Sequence, residues 1–166
     1  MQTLLRALRL YAMVTWVGGI AFLSFVLAPI AFGRLASTHE AGLVVGGSLR
    51  ELHWIGLVGG VLFCLANAWL WFQAEVPARV GFAIQFALTV VMLAGTAYSQ
   101  FHILPAMAAD RALSGLPVDD PRVGDFERLH WLSERVEGLV LVCGLGVVFV
   151  LSRESQWPET GKIVRP

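Results

Sequence analysis

Two histidines stand in nearly the same local sequence, once in each half of the chain. His53 lies in the segment RELHWIG, residues 50–56, and His130 lies in the segment ERLHWLS, residues 127–133. The histidines are 77 residues apart (130 − 53), and two prolines that end apolar segments, Pro29 and Pro105, are 76 residues apart (105 − 29). An offset that recurs at separate landmarks indicates an internal duplication, which puts the two histidines in equivalent places.

Candidate site residues recur at steps of three or four in three apolar segments. They are His53, Gly56 and Gly60 in the second segment, Tyr98 and His102 in the third, and His130, Glu134 and Glu137 in the fourth. Polar faces of membrane helices point into the bundle or into a watery cavity. Chain direction puts the starts of the second and fourth segments on the same side as the end of the third. We therefore predict that His53, His102, His130, Glu134 and Glu137 converge in one polar pocket, with Tyr98 beside it.

Three interpretations of this pocket stay open. His53 and His130 are candidate axial ligands of a b-type haem, with Gly56 and Gly60 making room for the macrocycle and His102 tuning the site through a hydrogen bond. The same histidines and glutamates are candidate ligands of copper or zinc. Alternatively, the histidines only bond to loop backbone at helix starts. The corresponding functions are electron transfer or an accessory role in a redox complex, metal transport or resistance, and a scaffold without a cofactor.

The composition indicates a membrane protein that would position these residues on helices. Of the 166 residues, 57% are hydrophobic and 14% are charged, and the mean hydropathy is +0.69. Four apolar segments, near 10–32, 53–72, 80–101 and 129–151, have the roughly 20 residues needed to cross a bilayer. We predict an all-α integral membrane four-helix bundle, built from two related helical hairpins and forming one domain over residues 1–166.

Several functional classes find no support in the sequence. We see no nucleotide-binding loop, nucleophile elbow or CxxC metal site, so we do not expect a stand-alone enzyme. The basic residues form no footprint for nucleic acid. The predicted partners are the lipid bilayer and either a membrane redox complex or a second copy of the chain. Because the side that carries the termini is net basic, we expect both termini in the cytoplasm.

The segments WVGGIAF, residues 16–22, and LAPIAF, residues 27–32, resemble a bacterial family of small membrane proteins of unknown function, related to eukaryotic transmembrane protein 205. The segments LPAM, residues 104–107, and FERLHWLS, residues 126–133, resemble the second half of that family. This resemblance implies four spanning helices in a bacterial inner membrane and no established activity.

The layout is similar, more distantly, to HemJ-type protoporphyrinogen oxidases, which bind haem, and to copper-resistance D-type proteins. The histidine and lysine of the HemJ type would fall near Leu10 and Gln85. Their absence argues against that oxidase activity.

Overall fold

Long apolar helices dominate the computed structural model, which describes residues 1–111 and 121–154. The helices are α1 (Gln2–Phe22), α2 (Ala28–Arg34), α3 (Thr38–Gln73), α4 (Val76–Tyr98), α5 (Leu104–Arg111) and α6 (Pro121–Arg153). Two five-residue π turns, Leu23–Leu27 and Ser99–Ile103, join α1 to α2 and α4 to α5. The described residues contain no strand.

Four continuous helical stretches are long and apolar enough to cross a bilayer: Gln2–Arg34, Thr38–Gln73, Ala78–Ala109 and Asp125–Arg153. They confirm the predicted all-α four-helix bundle of an integral membrane protein, because in lipid a helix satisfies its backbone polar groups internally. The stretches are longer than predicted, most clearly the second, which begins at Thr38. Of the predicted domain over residues 1–166, residues 112–120 and 155–166 lie outside the described residues.

Local chemistry explains where the helices begin. The Ser37 hydroxyl accepts a hydrogen bond from the Glu40 backbone N–H at 3.1 Å, which caps the free N-terminus of α3. Two residues, Ala74 and Glu75, separate α3 from α4. So short a connection makes these two helices antiparallel neighbours.

Each π turn ends two residues before a proline. Pro29 and Pro105 lack the backbone N–H of an α-helix, and a proline ring clashes with the carbonyl four residues earlier. Those carbonyls belong to Phe25 and Phe101, and both lie inside the π turns. The wider turn therefore accommodates the proline in each half without ending the helix.

The helix contacts follow the predicted duplication. The first hairpin packs α1 against α3, and the second packs α4 against α6 to a similar extent. Arg9 and Gln85, which are 76 residues apart, bond directly to each other. A contact between equivalent positions is expected on an approximate twofold axis. Of the two interfaces between the hairpins, α3 and α4 pack closely, whereas α1 and α6 pack much less extensively.

Candidate functional site

A buried histidine joins three helical segments in the half of the bundle near the α5–α6 connection. His53 of α3 is fully buried. Its Nδ1 lies 3.1 Å from Oε1 of Gln100 in the second π turn, and its Nε2 lies 2.8 Å from Oε1 of Glu137 in α6. Glu137 is only 9% exposed. The three side chains form one polar unit inside the apolar bundle.

The geometry of this unit sets where its protons lie. The amide oxygen of Gln100 only accepts, so His53 donates to it through Nδ1. His53 Nε2 and Glu137 Oε1 then share one proton, either as imidazolium and carboxylate or as imidazole and carboxylic acid. In both cases the pair carries no net charge, which reduces the cost of burying ionisable groups in a membrane.

The second carboxylate oxygen of Glu137 is unsatisfied. Oε2 is buried and has no hydrogen-bond partner among the described residues. Buried polar atoms without a partner are uncommon, and each needs an explanation such as a bound ligand or water. Glu137 is also one of the residues that line a cavity.

The cavity has a volume of about 650 Å³ and lies between α6 and the segment formed by the first π turn and α2. Its apolar wall comes from the first π turn, α2, α3 and α5: Leu23, Phe25, Phe32, Leu49, Leu104 and Met107. Its polar groups include Ser24 and a row on α6: His130, Ser133, Glu134 and Glu137. None of the described residues that line it is a lysine or an arginine. The cavity therefore combines apolar walls with a wall that offers hydrogen-bond acceptors.

The cavity reaches both lipid and water. Phe25 and Phe32 are exposed on the outer surface of the bundle, where lipid would contact them. Glu134 and His130 lie one and two turns closer to the start of α6 than Glu137, and their side chains are 63% and 50% exposed. A ligand can therefore reach Glu137 from the bilayer or from the water at this end.

The structure does not bring all the predicted residues together. His130 forms its own ion pair with Glu134 at 3.3 Å and stacks on Phe126, so its environment is separate from that of His53. His102 lies against Tyr98 with ring centroids 5.5 Å apart, and both side chains are exposed rather than part of the cavity wall.

The π turn is the physical reason for the position of His102. The prediction assumed an uninterrupted α-helix, in which Tyr98 and His102 share a face. A π turn holds an extra residue and shifts the face that follows. It turns Ser99 and Gln100 inward and leaves His102 outside, so Gln100 takes the place beside His53 that the sequence had suggested for His102.

Gly56 and Gly60, which were predicted to make room for a cofactor, lie against an aromatic side chain. A Cβ at Gly56 would overlap the indole of Trp16, and a Cβ at Gly60 would lie 2.6 Å from Cζ3 of Trp16 and 2.7 Å from Cδ2 of Leu93. Trp16 is fully buried. The two glycines thus allow α1 to pack closely on α3.

The second interpretation of the sequence required a group of metal ligands. Across residues 1–111 and 121–154, no three His, Cys, Asp or Glu side chains lie close enough to hold a metal ion. The glutamates and histidines form pairs instead, as described for His53 with Glu137 and for His130 with Glu134.

A second buried polar cluster lies at the other end of the bundle, and the sequence interpretation missed it. The guanidinium of fully buried Arg9 bonds to Glu154 and to Gln85, and Gln85 donates to Glu154 at 2.6 Å. The rings of Phe63 and Phe82 lie 5.2 and 5.1 Å from the Arg9 guanidinium. These bonds join α1 and α4 to Glu154, which directly follows α6. The sequence contains an indication of this cluster, because Arg9 and Gln85 are polar residues separated by the repeat offset of 76.

Comparison with known proteins gives a family but no activity. Residues 11–112, more than half of the chain, match the family described as a domain of unknown function, DUF4149. The chain belongs to this family. No curated protein and no solved structure matches the chain. The relationships to transmembrane protein 205, to HemJ-type oxidases and to copper-resistance proteins stay predictions.

The DUF4149 match contains only part of the site. It covers His53, Gln100 and the cavity wall supplied by the first π turn and α2, whereas Glu137 and Glu154 lie beyond it. The carboxylates that complete both buried clusters therefore come from α6 and from the residue that directly follows it.

Proposed function

We propose that this DUF4149 protein binds an amphipathic small molecule inside the bilayer, in the cavity that α6 forms with the first π turn and α2. The observation that carries the proposal is the buried Oε2 of Glu137, which has no partner among the described residues and belongs to a residue that lines that cavity. A volume of about 650 Å³ lies within the range of about 300–1,000 Å³ that is usual for small-molecule sites.

A purely structural role explains the polar unit less well. An apolar core would hold α3 and α6 together without the cost of desolvating a carboxylate and an imidazole. Polar residues retained at such a cost within membrane helices typically belong to a functional site. His53 bonds to one oxygen of Glu137, and the other has no partner among the described residues.

Filling the cavity tests this proposal. Gly138 lines the cavity, and a Cβ placed there would meet no atom within 4 Å, so Gly138→Leu should fill space without a clash. Gly18→Leu is the matched control, because Gly18 is exposed, also has open space and does not line the cavity. We expect native mass spectrometry of protein in lipid nanodiscs to show a retained small molecule in the wild type and in the control. Only the Gly138→Leu variant should lose this small molecule. Equal retention by all three proteins, or none by the wild type, would contradict the proposal.

Haem b is the second candidate ligand, and the position of His130 favours it. The half-exposed imidazole of His130 lines the same cavity, so it could reach a haem iron there. The predicted ligation by both histidines is harder to reconcile with the structure, because both ring nitrogens of His53 already have partners. A haem in this cavity would have one histidine ligand. The function would then be electron transfer or a role in a redox complex.

An absorption spectrum of the protein purified in detergent separates the two candidates. Haem bound through His130 gives a Soret band that His130→Ala abolishes and that His102→Ala retains. Ligation by both histidines gives a low-spin spectrum that is also lost in His53→Ala. A colourless protein that still retains a small molecule excludes haem and leaves the first candidate.

A further inference from the structure

We infer that the ligand of this cavity is an amphiphile with a primary ammonium head group. The inference rests on the proposed function and names the chemical class of the ligand. Its basis is the combination of a polar wall that carries two glutamates and a serine with apolar walls that reach the lipid-facing surface.

The charges that face the cavity favour a cation. Glu134 and Glu137 line it, and the described lining residues include no basic side chain other than His130. His53 contacts Glu137 through Oε1, and Oε2 has no partner among the described residues. An anionic head group would lose its water, would face two glutamates, and would find no lysine or arginine among the described lining residues.

The available acceptors favour a head group with N–H donors. Ser133 precedes Glu137 by four residues on α6, so their side chains lie on the same face. Both are largely buried, and both line the cavity. An ammonium group has three N–H donors and can bond to Glu137 Oε2 and to the Ser133 hydroxyl. A trimethylammonium group has no N–H and cannot satisfy either oxygen.

The apolar chain of the ligand would lie between α6 and the segment formed by the first π turn and α2. Phe25 and Phe32 line the cavity and are also exposed at the surface of the bundle, so the apolar wall continues to the lipid. Access from the bilayer keeps the alkyl chain in an apolar environment throughout, while the head group moves to the carboxylate.

A head-group series on one alkyl chain tests the inference. Dodecylammonium, dodecyltrimethylammonium, dodecanol and dodecanoate are added at equal mole fraction to the protein in detergent micelles at pH 7. Native mass spectrometry measures the fraction of protein that carries each probe. A hydrogen bond to a charged group is strong enough for a preference of about tenfold or more, and we expect dodecylammonium to show it over the other three.

Variants assign the preference to the proposed residue. Glu137→Gln should remove the preference for dodecylammonium, whereas Glu134→Gln, one turn closer to the water, should keep most of it. Ser133→Ala removes one acceptor without touching the His53 pair, and we expect a smaller loss. This variant and the wild-type series remain informative if Glu137→Gln does not fold.

The outcomes separate this inference from the proposed function. If all four probes bind equally to the wild type and none binds to Gly138→Leu, the cavity binds amphiphiles but the inferred head group is wrong. A preference for dodecanoate, or equal binding of the two ammonium probes, would also overturn the inference. If no probe binds to the wild type, the inference and the proposed function both fail.

Discussion

Replacing only one member of the His53–Glu137 pair should destabilise the protein more than replacing both residues together. In His53→Leu, the Glu137 carboxylate loses its only hydrogen-bond partner among the described residues, and the Gln100 oxygen loses its donor. In Glu137→Leu, the imidazole loses the group that shares its proton. In the double variant, only the amide oxygen of Gln100 is left without its partner.

The burial of the pair sets the expected magnitudes. Removing one member of a buried ion pair costs about 3–5 kcal/mol, whereas replacing the whole pair with apolar residues is often neutral or stabilising. Because Glu137 borders a cavity, we expect the single variants to lose about 3 kcal/mol each, at the low end of that range. The double variant should lose about 1–2 kcal/mol, the usual cost of one unsatisfied buried polar group.

The assay is unfolding in mixed micelles by increasing fractions of sodium dodecyl sulfate, followed by tryptophan fluorescence. Trp16 is fully buried in the core and reports on the loss of packing. The exposed pair of His130 and Glu134 is the matched control, since both pairs join a histidine to a glutamate. Its residues are four apart on one helix and half-exposed or more, so removing either should cost only about 0.3–0.5 kcal/mol.

Two results would refute this reasoning. If the double variant loses the sum of the two single losses, the side chains act independently and share no proton. If the buried single variants lose no more than the exposed ones, the interior near Glu137 is hydrated well enough to solvate a lone charge.

The packing and the second polar cluster give two further predictions. Gly56→Ala should destabilise the fold by about 1–3 kcal/mol because its Cβ overlaps the indole of Trp16, whereas Gly18→Ala, with nothing within 4 Å, should be neutral in the same unfolding assay. Arg9→Ala should cost about 3–5 kcal/mol because it leaves a carboxylate and an amide unpaired in an apolar setting, whereas exposed Arg6→Ala should change stability by less than about 0.5 kcal/mol. Equal losses within either pair of variants would contradict the corresponding contact.

The fold was predictable because its signals are long and redundant. Each span carries an apolar segment of the length that a bilayer requires, and the repeat offset recurs at several landmarks. Helix ends were less predictable. The segment from Thr38 to the predicted start of the second span is polar enough to resemble a connection, yet the Ser37 cap starts the helix there.

The site was predictable in part, for reasons of local geometry. His53 and Glu137 follow regular α-helical spacing, so the sequence pointed to both. Gln100, and not His102, lies beside His53. The sequence pattern did not indicate this, because a π turn cannot be recognised from a pattern that assumes 3.6 residues per turn. Contacts between distant segments, such as Trp16 on Gly56, depend on which helices are neighbours, and hydrophobic periodicity alone does not give that information.

Equivalent histidines have different surroundings because their partners differ between the two halves. His53 bonds to Gln100, and the position equivalent to Gln100 in the first half is Ser24 (100 − 24 = 76). A serine is too short to reach His130 as the glutamine reaches His53. Ser24 and His130 both line the cavity instead. The shorter side chain thus leaves space at the looser of the two interfaces between the hairpins.

The second partner of His53 shows the same divergence. The position equivalent to Glu137 in the first half is Gly60 (137 − 60 = 77), which offers no carboxylate and instead accommodates Trp16. His130 therefore has neither acceptor and pairs with Glu134 at the surface. Since a symmetric dimer of hairpins would have two identical sites, these two divergent positions explain why a buried pair of histidine and glutamate forms in one half only. Glu137 of that pair also lines the cavity, which is the basis of the proposed ligand-binding function.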